Sequence, residues 1–224
     1  MVLPVIHVAS ESQARRNTAI AREAGADGVF LINHAVSSSE LLQIHAAVVQ
    51  SLPGWWVGVN CLDLCPEVVF SCVSQQVAGV WADNAMIQED QAEQPAAQRV
   101  LDSQTRHGWQ GLYFGGVAFK YQRDVDDLRG AARRAADYMS VVTTSGPGTG
   151  SAADLGKIRA MKEALGDFPL AIASGITPGN VADYLPFSDC YLVATGISEN
   201  FEELNPELTR RLIQNVRSYD SARS

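Results

Sequence analysis

Leu170-Ala171-Ile172-Ala173-Ser174-Gly175-Ile176-Thr177-Pro178-Gly179-Asn180-Val181 reads as a strand, a turn and a helix start in immediate succession. The first four residues are uninterruptedly apolar, which suits a strand covered on both faces in a parallel sheet; a half-exposed antiparallel strand would alternate. Ser174 and Gly175 form a small-residue turn. Thr177 followed by Pro178 is an N-cap and the residue preferred at the first helical position.

The same succession recurs outward from this stretch. Apolar runs predict strands at 2–8, 28–33, 56–60, 80–83, 111–117, 139–143, 170–173 and 190–194, and Gly28-Val29-Phe30-Leu31-Ile32 is as continuous as the run at 170. Between them lie segments of helical spacing. One closes at Ala24 before Gly25, one covers 41–49, and one carries Leu155, Ile158, Met161 and Leu165 on a single face. Ser151-x-x-Asp154 is a capping-box pattern at the start of this last helix. Eight strand–helix units in 224 residues is about 28 residues each, the compact end of the (β/α)8 range. A doubly wound open sheet is the alternative, but His7-Val8-Ala9-Ser10 has none of the glycines that fold places after its first strand. The expectation is a single TIM-barrel domain over residues 1–224.

With 46% hydrophobic and 19% charged residues, the composition excludes a disordered chain. Seventeen Lys and Arg against 25 Asp and Glu give a net charge of −8, with the basic residues scattered, so no nucleic-acid partner is expected. No apolar run approaches a membrane span, residues 1–10 lack the marks of a signal peptide, and a cytoplasmic protein is expected. Cys61, Cys65, Cys72 and Cys190 read as buried free thiols, and their spacing fits no zinc pattern, so no metal site is expected. The polar run 88–94 before Pro95 reads as a solvated loop, with a lid as the functional alternative.

Residues just past the strand ends of a barrel face its active site. They include His7, Asn33, Asn60, Asp83, Asn84, Lys120, Thr143, Ser174 and Thr195. Three segments point to an anion. Thr144-Ser145-Gly146-Pro147-Gly148-Thr149-Gly150-Ser151 lets backbone N–H groups approach a ligand, although Gly150 and Gly156-Lys157 stand five residues apart where a P-loop needs four. Ser174-Gly175 and Thr195-Gly196 follow the last two strands, where barrels of this class bind phosphate. The candidate phosphate-binding residues are therefore Gly146, Gly148, Thr149, Gly150, Ser174, Gly175, Thr195 and Gly196.

Asp83, Lys120 and His7 are the candidate catalytic groups. A carboxylate and an imidazole can move protons, and a lysine can meet a substrate anion or act as a base. The bland alternatives are a carboxylate bonded to backbone, a surface lysine and a core histidine. Asn33, Asn60, Asn84 and Thr143 are candidates for orienting a polar ligand, although asparagine also favours turns at strand ends. His45 lies inside a helix and His107 at a helix C-terminus, and both read as structural, as do Trp55 and Trp56.

Ala136-Asp137, Val142-Thr143-Thr144-Ser145-Gly146-Pro147-Gly148-Thr149-Gly150, Ser174-Gly175-Ile176-Thr177-Pro178-Gly179-Asn180-Val181 with Tyr184-Leu185, and Val193-x-Thr195-Gly196 resemble the BtpA family. Members of that family are predicted phosphate-binding TIM barrels of poorly defined activity. The resemblance covers most of the chain and is specific mainly from 136 to 198. Ile6-His7, Gly25-Ala26-Asp27-Gly28, Gly58-Val59-Asn60, Asn84 and Lys120 extend it. The chain departs from the family at Ile32, where an acidic residue is expected, at Gly116, where aspartate is common, and at Tyr121, where histidine is common.

The resemblance implies an enzyme acting on a small phosphorylated metabolite, a phosphosugar or phosphoribosyl compound, by isomerase, lyase or phosphoribosyltransferase chemistry. The alternatives are a non-catalytic assembly or regulatory protein that keeps only the anion site, and a flavin- or nucleotide-binding protein using the same cradle. No cofactor is specified, and self-association into a homo-oligomer is left open.

Overall fold

Of the two architectures open to alternating apolar strands and amphipathic helices, the chain adopts the sheet closed on itself and wrapped by its helices. The computed structural model describes residues 1–222. Its strands are β1 (Val2–Val8), β2 (Gly28–Asn33), β3 (Trp56–Asn60), β4 (Gly79–Ala82), β5 (Leu112–Gly116), β6 (Val141–Thr144), β7 (Leu170–Ile172) and β8 (Cys190–Val193). Each pairs in parallel with the next, and β8 returns to β1 through Tyr191 opposite Val2 and Val193 opposite Pro4. The barrel is closed, a (β/α)8 fold as expected.

The helices are α1 (Glu11–Glu23), α2 (Ser38–Ser51), α3 (Pro66–Cys72), α4 (Pro95–Arg106), α5 (Leu128–Ala135), α6 (Leu155–Leu165), α7 (Val181–Tyr184) and α8 (Pro206–Ser221). Among the described residues no helix is long and apolar enough to cross a membrane.

Strand side chains alternate between two cores. One set, including Val29, Leu31, Val57, Val59 and Val80, packs outward against the helices. The other fills the barrel: Leu3, Val5, Phe30, Ile32, Trp56, Trp81, Phe114, Val141, Ala171, Cys190 and Leu192. Phe30 meets Trp56, Trp81 and Phe114 edge to face at ring-centre distances of 5.0, 5.8 and 5.2 Å. The Trp56 indole fits because Gly58 and Gly79 carry no side chain where its ring lies. Burial of each such large apolar group stabilises the fold by roughly 1.5–3 kcal/mol.

Several expectations need correction. α6 starts three residues later than a cap at Ser151 predicts: Asp154 is the N-cap, accepting from the Lys157 backbone N–H at 2.9 Å, while Ser151 lies in the preceding loop. The run 88–94 is not simply solvated. Gln94 is buried and ties the loop through its side chain to Gln88 and Gln91, and buried Glu89 pairs with Arg123. Cys61 and Cys190 are buried, but Cys65 and Cys72, at the two ends of α3, are exposed. His45 is structural as expected, its ring Nε2 3.1 Å from the Val57 carbonyl oxygen. His107 is the C-cap of α4.

Candidate functional site

The inward set of strand residues does not stop at the last apolar layer. On β1 the series Leu3, Val5 continues to His7; after β2 the series Phe30, Ile32 continues to His34; after β4 Trp81 is followed two residues on by Asp83. These side chains meet at the C-terminal mouth in a cavity of about 210 Å³, whose opposite wall is built by Gly150, Ser174, Gly175, Thr195 and Gly196.

The second wall is backbone. Gly175 has φ +66°, and a Cβ there would overlap the Ser151 peptide. A Cβ on Gly196 would overlap the Ile176 carbonyl oxygen. Both positions therefore need glycine because three loops are pressed together. Ser174 ties two of them: its hydroxyl accepts from the Gly146 N–H at 3.1 Å and donates to the Ser151 carbonyl at 3.2 Å. The Thr177 hydroxyl accepts from the N–H groups of Gly179 and Asn180, so the turn before α7 is capped rather than presented with free donors. Among the described residues, the N–H groups of Gly150, Gly175, Thr195 and Gly196 donate to no protein acceptor. These four residues line the cavity together, an arrangement suited to an anion.

Facing them is the acid–base wall. The His7 Nδ1 is 2.9 Å from the Phe201 carbonyl oxygen, so this nitrogen carries the proton and Nε2 keeps its lone pair. Burial, with help from His34, lowers the His7 pKa to about 4, so the ring is neutral at pH 7. Burial lowers His34 as well. Asp83 moves the other way: desolvation raises its pKa despite a 3.0 Å hydrogen bond from the Asn60 amide and the nearby Lys120 charge. Lys120 extends toward the backbone wall, its Nζ 3.4 Å from Thr149 Oγ1. Tyr121 helps to seal that side, its hydroxyl accepting from the Thr149 N–H at 3.1 Å. A half-buried amine joins the loops after β5 and β6: Lys157 donates to the carbonyls of Ala118 and Ser145, and desolvation draws its pKa down to about 8.

The structure therefore brings together His7, Asp83, Lys120, Thr149, Gly150, Ser174, Gly175, Thr195 and Gly196. It places Gly146 and Gly148 behind the wall, in the loop that supports Gly150. Asn60 stands one layer back as the partner of Asp83, and Thr143 is fully buried in the strand with its hydroxyl unpartnered among the described residues. Asn33 points away from the mouth, where its amide donates to Asp63 at 2.7 Å and its oxygen accepts from the Leu62 N–H. Asn84 closes a turn onto the Met86 N–H and lies outside the cavity. Neither asparagine reaches a ligand in the cavity.

His34 was missed, although two-residue alternation along β2 selects it over Asn33. Phe201, whose ring lies 4.0 Å from that of His7 and 5.2 Å from that of His34, comes from a loop with no local sequence signal. The departure at Gly116 has a local cause: a Cβ there would overlap the Asp83 carbonyl oxygen.

No family model matches the chain, and no curated protein sequence does. Solved structures do match. Phosphoribosyl anthranilate isomerase from Thermus thermophilus aligns at 16% identity and TM-score 0.67, over 98% of this chain and all of the other. A structure titled native KDPGal aligns at 13% identity and TM-score 0.72, over 98% of this chain and 96% of the other. (S)-3-O-geranylgeranylglyceryl phosphate synthase from Thermoplasma acidophilum, in complex with substrate sn-glycerol-1-phosphate, aligns at 13% identity and TM-score 0.66, over 97% of this chain and 92% of the other. At these identities the likeness is one of fold, a (β/α)8 barrel aligned over nearly its whole length.

Proposed function

We propose that the chain is an enzyme acting on a small phosphorylated metabolite of the phosphosugar or phosphoribosyl class. The phosphate lies on the N–H groups of Gly150, Gly175, Thr195 and Gly196, with Lys120 beside it. Asp83, His7 and His34 move protons on the remainder of the substrate. One observation carries this reading: residues with unpaired backbone donors and a cluster of desolvated acid–base groups line a single cavity. Further support comes from two fold relatives, an isomerase named for a phosphoribosyl compound and a synthase holding sn-glycerol-1-phosphate.

The chemistry follows from the protonation states. A carboxyl raised by burial holds and releases a proton more readily near neutral pH than an exposed one, and a neutral imidazole with a free Nε2 accepts one. Such a pair fits isomerase, lyase and phosphoribosyltransferase steps alike. Ribose 5-phosphate and inorganic phosphate at millimolar concentration are expected to raise the melting temperature, because a ligand that binds the folded form stabilises it. No shift with either would remove the anion site and the function with it.

Gly116 favours a second reading, a regulatory barrel that keeps the anion site without turnover, because the β5 end has no room for a second carboxylate. The two readings part on Asp83→Asn. An enzyme loses on the order of 100-fold or more in turnover of its phosphorylated substrate, whereas a regulatory protein keeps its partner binding intact.

A further inference from the structure

The cavity wall away from the phosphate donors has its own character. Among its described lining residues Lys120 is the single lysine or arginine, and its amine reaches toward Thr149 on the phosphate side. The remaining ionisable groups on the far wall are Asp83 and two histidines; the Lys120 charge reaches these groups too, so one fixed cation serves the whole cavity. The far wall is otherwise ringed by apolar surface. Phe201 is 57% exposed and Leu62 41% exposed, both at the mouth, while Ile32 and Trp81 form the floor beside them. Large side chains left this open at a ligand cavity mark where a ligand buries apolar area.

The Phe201 ring is not loosely placed. Its backbone carbonyl faces the His7 Nδ1, and its neighbours are tied to α1: Asn17 donates to the Glu202 carbonyl at 2.8 Å and accepts from the Leu204 N–H at 2.8 Å, and Gln13 also donates to Glu202. A wall held in this way is preorganised, so little ordering entropy is lost when a ring packs against it.

We infer that the substrate is a monophosphate whose other end is an uncharged planar ring, seated against Phe201, Leu62 and the two imidazoles, and that a second phosphate or carboxylate at that end is rejected. This deepens the proposed function and rests on its phosphate cradle. Rejection follows because Lys120 is engaged by the first phosphate, so a second anion pressed against neutral imidazoles, an acidic group and apolar side chains loses hydration without gaining a cation of its own.

The test uses calorimetric binding of four probes to the full chain: inorganic phosphate, glycerol 3-phosphate, phenyl phosphate and fructose 1,6-bisphosphate. Phenyl phosphate is expected to bind at least tenfold tighter than glycerol 3-phosphate, and the bisphosphate no tighter than glycerol 3-phosphate. Phe201→Ala is expected to cut the aryl preference to below threefold, and Phe201→Trp to keep it. Equal binding of the phenyl and glycerol esters, tightest binding of the bisphosphate, or an aryl preference that survives Phe201→Ala would each overturn the inference. If inorganic phosphate and all three esters fail to bind, the cradle itself is refuted. Binding of phosphate without an aryl preference refutes this inference alone.

Discussion

His7 carries a cost that shows in acid. The unfolded chain takes up a proton at this ring near pH 6.5, the folded chain only near pH 4, so between those values the unfolded state binds more protons. Its contribution to stability is intact above pH 6.5 and is lost as the pH falls toward 4. His7→Gln is therefore expected to show a smaller drop in melting temperature from pH 6.5 to 4.5 than the parent chain, read by thermal denaturation across that range. An equal drop in both proteins would show that the ring does not stay neutral. At this scale the sequence was partly legible. Asp83, Lys120 and His7 could be chosen because strand ends are addresses on the barrel mouth. Asn33 stands at the end of the predicted strand 28–33, but the inward parity of Phe30 and Ile32 passes over it to His34.

At the scale of the element, the loops after β6, β7 and β8 act as one piece. Ser174 bonds two of them, and the absence of a side chain at Gly196 lets the third close against Ile176. Gly196→Ala forces that contact apart. The expected result is a loss of about 1–3 kcal/mol in stability, as for other overpacked sites, together with a phosphate affinity at least tenfold lower, measured by denaturant titration and by thermal shift in phosphate. Unchanged phosphate affinity would place the anion elsewhere. The small-residue turns of these loops were legible because backbone approach demands glycine. The start of α6 was not, since Ser151 and Asp154 are both competent caps and only the crowding of Ser151 against Gly146 and Gly175 assigns the role to Asp154. The Glu89–Arg123 tie was equally hidden, because it joins loops 34 residues apart in sequence.

For the molecule as a whole, closure through β1 and β8 and a continuous interior of interlocked rings lead us to expect one cooperative unit. Of the four tryptophans Trp56 and Trp81 sit inside the barrel and Trp109 is buried between sheet and helices, so fluorescence reports on packing in both cores while far-UV circular dichroism reports mainly on the helices. Urea transitions by the two probes should coincide; separate midpoints would divide the chain into independently unfolding parts. The fold was the most legible level because buried parallel strands leave runs in the sequence that little else leaves. The rim between β4 and β5 bears on redesign. The main chain at Asp83 lies where any side chain on Gly116 would have to begin, so the two strand tops cannot both be armed. Transplanting an acid to β5 would fail as a single replacement and would succeed only after the neighbouring loop had been recut, which makes the present location of the carboxylate self-perpetuating over evolutionary drift.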